Sequence, residues 1–331
     1  MITNPKPFAT DLAEDYETAR QLDEASETLQ KLAGEDIDTV EVTSRSSEEA
    51  PFFARIVSKL SPMVGNLMEQ RIVTMLHESA SDGHSWHRQD PGFPDAVLVR
   101  DKDHEILAGY EIKAWYVLST EITGRFRESL NLLKGKNVNV VIVAWCMSHM
   151  IFGKPHILGV LTVSGEEVAS SRDLHYHQPP TYLTIEPNDT SERTANLQQS
   201  NVNGYRLQEE RSDPELLVTA RAKQYTAAEP HTPEAQAEAD ELMATLQYRL
   251  DTNFAKMNRI KNSEIEAFKK KINSSKYISK SITEWKRIFK DLDSDDTLRR
   301  RSAERIIEEL YEEMKQTTPK TAVAEESPSA H

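Results

Sequence analysis

The run Phe93-Pro94-Asp95-Ala96-Val97-Leu98-Val99, followed by Gly109-Tyr110-Glu111-Ile112-Lys113-Ala114, decides the reading of this 331-residue chain. Both segments have the β-branched and apolar content of strands. Alternate residues of a strand share a face, so Glu111, Lys113 and Trp115 point one way and Tyr110, Ile112, Ala114 and Tyr116 the other. The second set suits a core. The first places a carboxylate and an ammonium two residues apart beside apolar neighbours. Asp95 joins them if Asp95 stands opposite Glu111 and Asp101 opposite Glu105, with Lys102-Asp103-His104 as a three-residue loop. Such loops end on a residue with positive φ, which His tolerates. A slip of one residue would turn Asp95 to the wrong face.

Two carboxylates on adjacent strands repel, and a shared cation is the simplest remedy. Oxygen-only ligation at an open site suits Mg²⁺, which keeps waters and meets substrate phosphate oxygens. A neighbouring ammonium can orient or help deprotonate one such water. Two carboxylates and a lysine are therefore a minimal set for hydrolysing a phosphodiester. Glu-x-Lys also occurs at Glu284–Lys286 and Glu313–Lys315, but in helical surroundings where residues two apart do not share a face. The plain alternative is a turn aspartate next to an exposed Glu/Lys strand face.

Outward from this segment, Ser61 and Pro62 predict the start of a helix, with Val64, Met68, Ile72 and Met75 at helical spacing up to about Ala80. Strands are expected at Ser85–Arg88, Asp95–Asp101 and Glu105–Val117. An amphipathic helix follows, capped by Ser119 or Thr120, with Ile122, Phe126, Leu130 and Leu133 inward and Lys134-Gly135 as its stop. Asn137–Trp145 reads as a strand covered on both faces. His156–Val163 and Thr181–Ile185 read as further strands. The chain divides into an acidic, partly helical or disordered leader over 1–50, a core with added strands and a polar loop over 51–212, a helical region over 213–316, and a disordered tail over 317–331. In the helical region Leu242, Leu246, Leu250, Phe254 and Met257 form one stripe. Trp285, Ile288, Phe289 and Leu292 form a second, and Ile306, Leu310 and Met314 a third.

Pro94-Asp95…Glu111-Ile112-Lys113 resembles the PD-(D/E)xK nuclease superfamily, and the order helix, three strands, helix, strand resembles its common core over roughly residues 52–165. The resemblance implies a restriction-endonuclease-like α/β core (a mixed, α+β sheet) with a largely helical C-terminal region. It implies Asp95 and Glu111 as metal ligands, with the Ile112 carbonyl as a further ligand, and Lys113 serving the attacking water. Many members add an acidic residue from the preceding helix, for which Glu69 is the candidate. The implied activity is that of a Mg²⁺-dependent type II restriction endonuclease leaving 5′-phosphate ends. The alternatives are a repair or structure-specific nuclease of the same superfamily, and a non-catalytic DNA-binding protein.

Arg125, Arg127 and Lys134 are candidates for contacting the DNA backbone near the metal. Asn196, Gln198, Gln199, Asn201, Asn203 and Arg206 have the donors and acceptors to read bases from a loop, although an ordinary polar loop has the same composition. The net charge is −14, with 4 basic and 13 acidic residues over Met1–Ala50 but 14 basic and 7 acidic over Lys256–Arg301. That basic segment could dock on phosphates, and an acidic whole suits an enzyme that must ignore most DNA. One cysteine, Cys146, excludes a disulfide framework and a Cys-rich zinc site. His84, His87, His175 and His177 lack any companion zinc or His-Asn-His motif and read as structural or surface histidines. With 11 glycines and no phosphate-binding loop, no nucleotide cofactor is expected. Neither a membrane span nor a signal peptide is legible. A cytoplasmic protein of a bacterial or archaeal cell, homodimeric so as to cut both strands of duplex DNA, is the expectation.

Overall fold

The computed structural model describes residues 16–89, 92–119, 122, 124–175, 183–186, 205–208, 215, 248–250, 257 and 260–317. Helices α1 (Tyr16–Gln30) and α2 (Ala50–Ile56), a 3₁₀ turn (Val57–Leu60) and α3 (Ser61–Glu78) lead into strands β1 (His84–Arg88), β2 (Ala96–Arg100) and β3 (Glu105–Tyr116). A one-turn helix α4 (Leu130–Leu133) precedes β4 (Val138–His149), β5 (Phe152–Ser164) and α5 (Gly165–His175). These five strands form one mixed sheet in the order β1-β2-β3-β4-β5, parallel only between β3 and β4. The fold is mixed α/β. Among the described residues no helix is long and apolar enough to cross a membrane.

Both faces of the sheet are covered, which is why β4 is apolar on both sides. From Val140 to Met147 every residue is buried, and a fully buried Val or Ile side chain contributes roughly 1.5–3 kcal/mol. One face carries α3 and α1. Gly65 of α3 sits over Ala114, and Tyr110 Oη pairs with Ser26 Oγ and the Leu22 carbonyl of α1. Much of the acidic leader is therefore packed structure: Ala25, Leu29 and Leu32 are core residues.

On the other face lies the C-terminal helical region, α6 (Ser263–Ser274), a small β9–β10 hairpin (Lys276–Tyr277, Lys280–Ser281), α7 (Ile282–Asp291) and α8 (Thr297–Thr317). Phe268 of α6 meets Trp115 edge-on, with ring centroids 6.3 Å apart. Asn262 caps α6, and Ser281 with Glu284 forms a capping box on α7. The expected second and third stripes become buried or half-buried faces: Trp285, Ile288, Phe289 and Leu292 on and just beyond α7, and Ile306, Leu310 and Met314 on α8.

Several local expectations need correction. Of the helix expected over 119–133, the described residues show only Leu130–Leu133, capped by Ser129, although Gly135 does stop it with φ 72°. Ile122 and Phe126 are buried, yet the segment 124–126 is not helical. Its carbonyls are taken elsewhere: Met257 N donates to Gly124 O, and the buried Arg172 donates to Phe126 O and Glu128 O. Tertiary donors replace the i+4 amides of a helix. Ser61 is the first residue of α3 rather than its cap, because the 3₁₀ turn runs straight into the helix.

Tyr248–Leu250 is a strand, β8, not part of a helical stripe. It joins β6 (Leu183–Glu186) and β7 (Tyr205–Gln208) in a separate three-stranded sheet. Arg206 accordingly lies on a strand, paired with Thr184 and Arg249, rather than in a loop. Asn196, Gln198, Gln199, Asn201 and Asn203, Leu242, Leu246 and Phe254, His177, and the tail beyond 317 lie outside the described residues.

Candidate active site

The β2–β3 register delivers Asp95 to Glu111 and Lys113. Ala96 pairs with Tyr110, Val97 with Gly109 and Leu98 with Ala108, in line with the expected alignment. The pairing then shifts by one, so that Arg100 rather than Asp101 meets Glu105, and the connection has four residues instead of three. Leu107 is the extra residue of a bulge, which leaves the Asp95 end undisturbed. His104 does close the loop with φ 59°.

Asp95 stands one step beyond the last β2–β3 pair, and its Oδ2 accepts a hydrogen bond of 2.7 Å from Ile112 N. Gly109 N and Val117 N donate toward β4, so the odd-numbered amides of β3 face β4 and the even-numbered ones face β2. Both backbone groups of Ile112 therefore point to the side on which β2 has just ended. The Ile112 carbonyl thus opens toward the side from which Asp95 approaches.

Lys113 Nζ donates to Glu111 Oε1 at 2.5 Å and lies 3.9 Å from Asp95 Oδ2. The side chains of Lys113 and Glu111 are each 13% exposed and that of Asp95 24%, sheltered but reachable. Burial pushes the Glu111 carboxyl up to about 7; Lys113 opposes this, while Asp95 and Glu128 reinforce it. Burial also works against the Lys113 charge, but Glu111, Asp95 and Glu69 outweigh it and hold the ammonium above its ordinary pKa. Glu111 Oε2 is buried and accepts no hydrogen bond. A buried carboxylate oxygen without a donor is costly unless something else occupies it.

Glu69 of α3 pairs with Arg88 at 3.0 Å, and Arg88 also reaches Asn66 Oδ1. Burial raises its pKa; Arg88 lowers it, and Asp95 and Lys113 are near enough to contribute. The structure thus places Glu69 at the rim of the Asp95–Glu111–Lys113 cluster, in an ion pair. Arg125 and Lys134 are exposed and Arg127 is half-buried, the two arginines on the extended segment that crosses Lys113 and Lys134 just after α4. Sequence reasoning missed Arg88 and the buried Arg172, because a lone charge carries no mark of the partner that will bury it.

Among the described residues no group of three or more His, Cys, Asp and Glu side chains gathers to hold a metal ion. Asp95 and Glu111, with the Ile112 carbonyl, are the oxygen donors the cluster offers to a hard cation that keeps waters. The orphaned Glu111 Oε2 fits that role, and Mg²⁺ fits the donor set.

Gly109 sets how closely β2 approaches. A Cβ at Gly109 would collide with Pro94 Cγ and come within 2.9 Å of the Ala96 carbonyl. Gly109→Ala is expected to push the Pro94–Ala96 segment away, displace Asp95 and cost about 1–3 kcal/mol. A thermal melt checks this; an unchanged melting temperature would show that the segment does not depend on this contact.

No family model matches the chain, and comparison with curated proteins and with solved structures found no match.

Proposed function

We propose that the protein is a Mg²⁺-dependent endonuclease of the PD-(D/E)xK kind that hydrolyses phosphodiester bonds of duplex DNA, working as a type II restriction enzyme and as a homodimer. The observation that supports this most directly is the convergence of Asp95, Glu111 and Lys113 where β2 ends beside β3, with a buried Glu111 oxygen left without a donor. Asp95 and Glu111 would hold the cation, with the Ile112 carbonyl completing the protein's share. A bound Mg²⁺ lowers the pKa of its water and offsets charge growing on the phosphate. Lys113 orients the attacking water and, held as an ammonium by its carboxylate neighbours, steadies the negative charge of the phosphate as the bond to the leaving 3′-oxygen breaks. Glu69 of α3, paired with Arg88 of β1, would flank the metal site at its rim. The resulting ends carry a 5′-phosphate and a 3′-hydroxyl.

Incubating the full chain with a sequenced plasmid and Mg²⁺ is expected to give discrete bands with 5′-phosphate ends, and no products in EDTA. A smear, or cutting confined to branched or damaged duplex, would support a repair or structure-specific enzyme of the same superfamily instead. Metal-independent binding with no cleavage would reject the nuclease reading.

A further inference from the structure

A cleft of about 1040 Å³ opens where the C-terminal end of β3 meets α7, three to six residues past Lys113 along the chain. One wall of it is α7, which presents Lys286, Arg287 and Lys290. The other is formed by Tyr116, Leu118 and Ser119 at the end of β3 together with α2 and the loop after α7. The loop also brings carboxylates, of which Asp293 is paired with Arg55.

Lys286 stands out among the basic residues of the C-terminal region. Its ammonium lies 5.3 Å from the centre of the Trp115 ring and donates to Asn273 Oδ1 at 2.8 Å. Trp115 shares a strand face with Glu111 and Lys113. No carboxylate among the described residues pairs with Lys286; instead burial, and Lys269 on α6, both press its pKa down. The Trp115 indole N–H beside it is buried and has no acceptor. The Lys269 ammonium is itself paired with Glu266 at 2.7 Å, which leaves Lys286, next to an unanswered N–H donor and without a carboxylate partner among the described residues, as a locus that an anion would stabilise.

Same-face residues on a strand recur about every 6.8 Å. That is comparable to the step between neighbouring phosphates of a nucleic acid strand, so a backbone running past Lys113 would bring its next phosphate to the Trp115–Lys286 position. We propose that this cleft is a docking subsite for a flanking backbone phosphate of duplex DNA, centred on Lys286 above Trp115, with Arg287 and Lys290 as supporting cations. The proposal rests on the nuclease reading and adds the path of the strand to it. It also separates Lys286 from Lys270 and Lys271, which are solvent-exposed on α6.

The test is fluorescence anisotropy of the full-length protein on a labelled random-sequence duplex in EDTA, over a salt series. Lys286→Met keeps the aliphatic stem over Trp115 and removes the charge. It is expected to weaken binding several-fold and to reduce the slope of log K against log salt by about 1, while Lys270→Gln changes neither. A wild-type slope in Lys286→Met, or an equal loss in Lys270→Gln, overturns the subsite. Should Lys286→Met fail to fold, acylation of wild-type lysines with and without the duplex decides: Lys286 is expected to be shielded, and unchanged labelling overturns the proposal. Wild-type protein that cuts DNA while Lys286 proves indifferent rejects the subsite alone. Wild-type protein that neither binds nor cuts duplex rejects the subsite and the nuclease reading together.

Discussion

Replacing Lys113 by alanine is expected to abolish detectable cleavage while duplex affinity stays within a few-fold of wild type. Its ammonium touches Glu111 at 2.5 Å and lies 3.9 Å from Asp95, which in the proposed mechanism is where the attacking water is held. A positioned group of this kind supplies on the order of 10²–10⁴-fold in rate, and loss of its charge beside the phosphate adds to that. The proposed phosphate contacts lie elsewhere, at Lys286 and its neighbours, so binding is expected to survive. Removing the cation also leaves Glu111 buried without its donor. The variant should therefore be destabilised by a few kcal/mol at pH 8 and by less at pH 6, where Glu111 can take up a proton. Single-turnover cleavage, anisotropy and melts at the two pH values measure the three effects separately. Full activity in Lys113→Ala would end the nuclease assignment.

Glu111→Gln should also abolish cleavage, with the opposite effect on stability. The Glu111 carboxyl is pushed up to about 7 by burial from an ordinary value of 4.5. The folded state thus holds this proton more tightly than the unfolded chain does. Its contribution to stability is fully present below about pH 4.5 and is lost as pH rises through about 7, a change on the order of 3 kcal/mol. Metal-free wild-type protein is expected to lose melting temperature across that window. Glu111→Gln, neutral throughout, should flatten the decline and melt higher than wild type at pH 8. Glutamine lacks the charge to hold a divalent cation, so added Mg²⁺ should stabilise the wild type and not the variant. Parallel pH curves for the two proteins would contradict the burial argument.

Local chemistry carried much of this arrangement. The alternation around Glu111-Ile112-Lys113, the two-sided apolar run of β4, Gly135 as a stop and the positive φ of His104 all follow from residue type and spacing, and the structure has each of them. The facing of Asp95 and Glu111 followed from strand periodicity, since a period of 2 leaves only the correct register or one that inverts every side chain. The bulge at Leu107 was not legible, because a one-residue insertion beyond Ala108 leaves the apolar pattern intact.

What the sequence determined by itself, then, is the set of short-range patterns: which segments are extended, which faces are apolar and which charged residues share them. The tertiary structure alone decided the rest. The segment around Phe126 has helical spacing, but Arg172 and Met257 claim its carbonyls, and backbone hydrogen bonds to distant donors cannot be read from neighbours in sequence. Lys286 sits in a Glu-x-Lys that looked like surface helix, and only the packing of α6 and α7 against β3 places its ammonium over Trp115. Burial and charge pairing bring together residues well separated along the chain, such as Glu69, Asp95 and Lys113 at the site and Trp115 with Lys286 beside it. These interactions convert an ordinary run of acidic and basic residues into a site with perturbed ionisation.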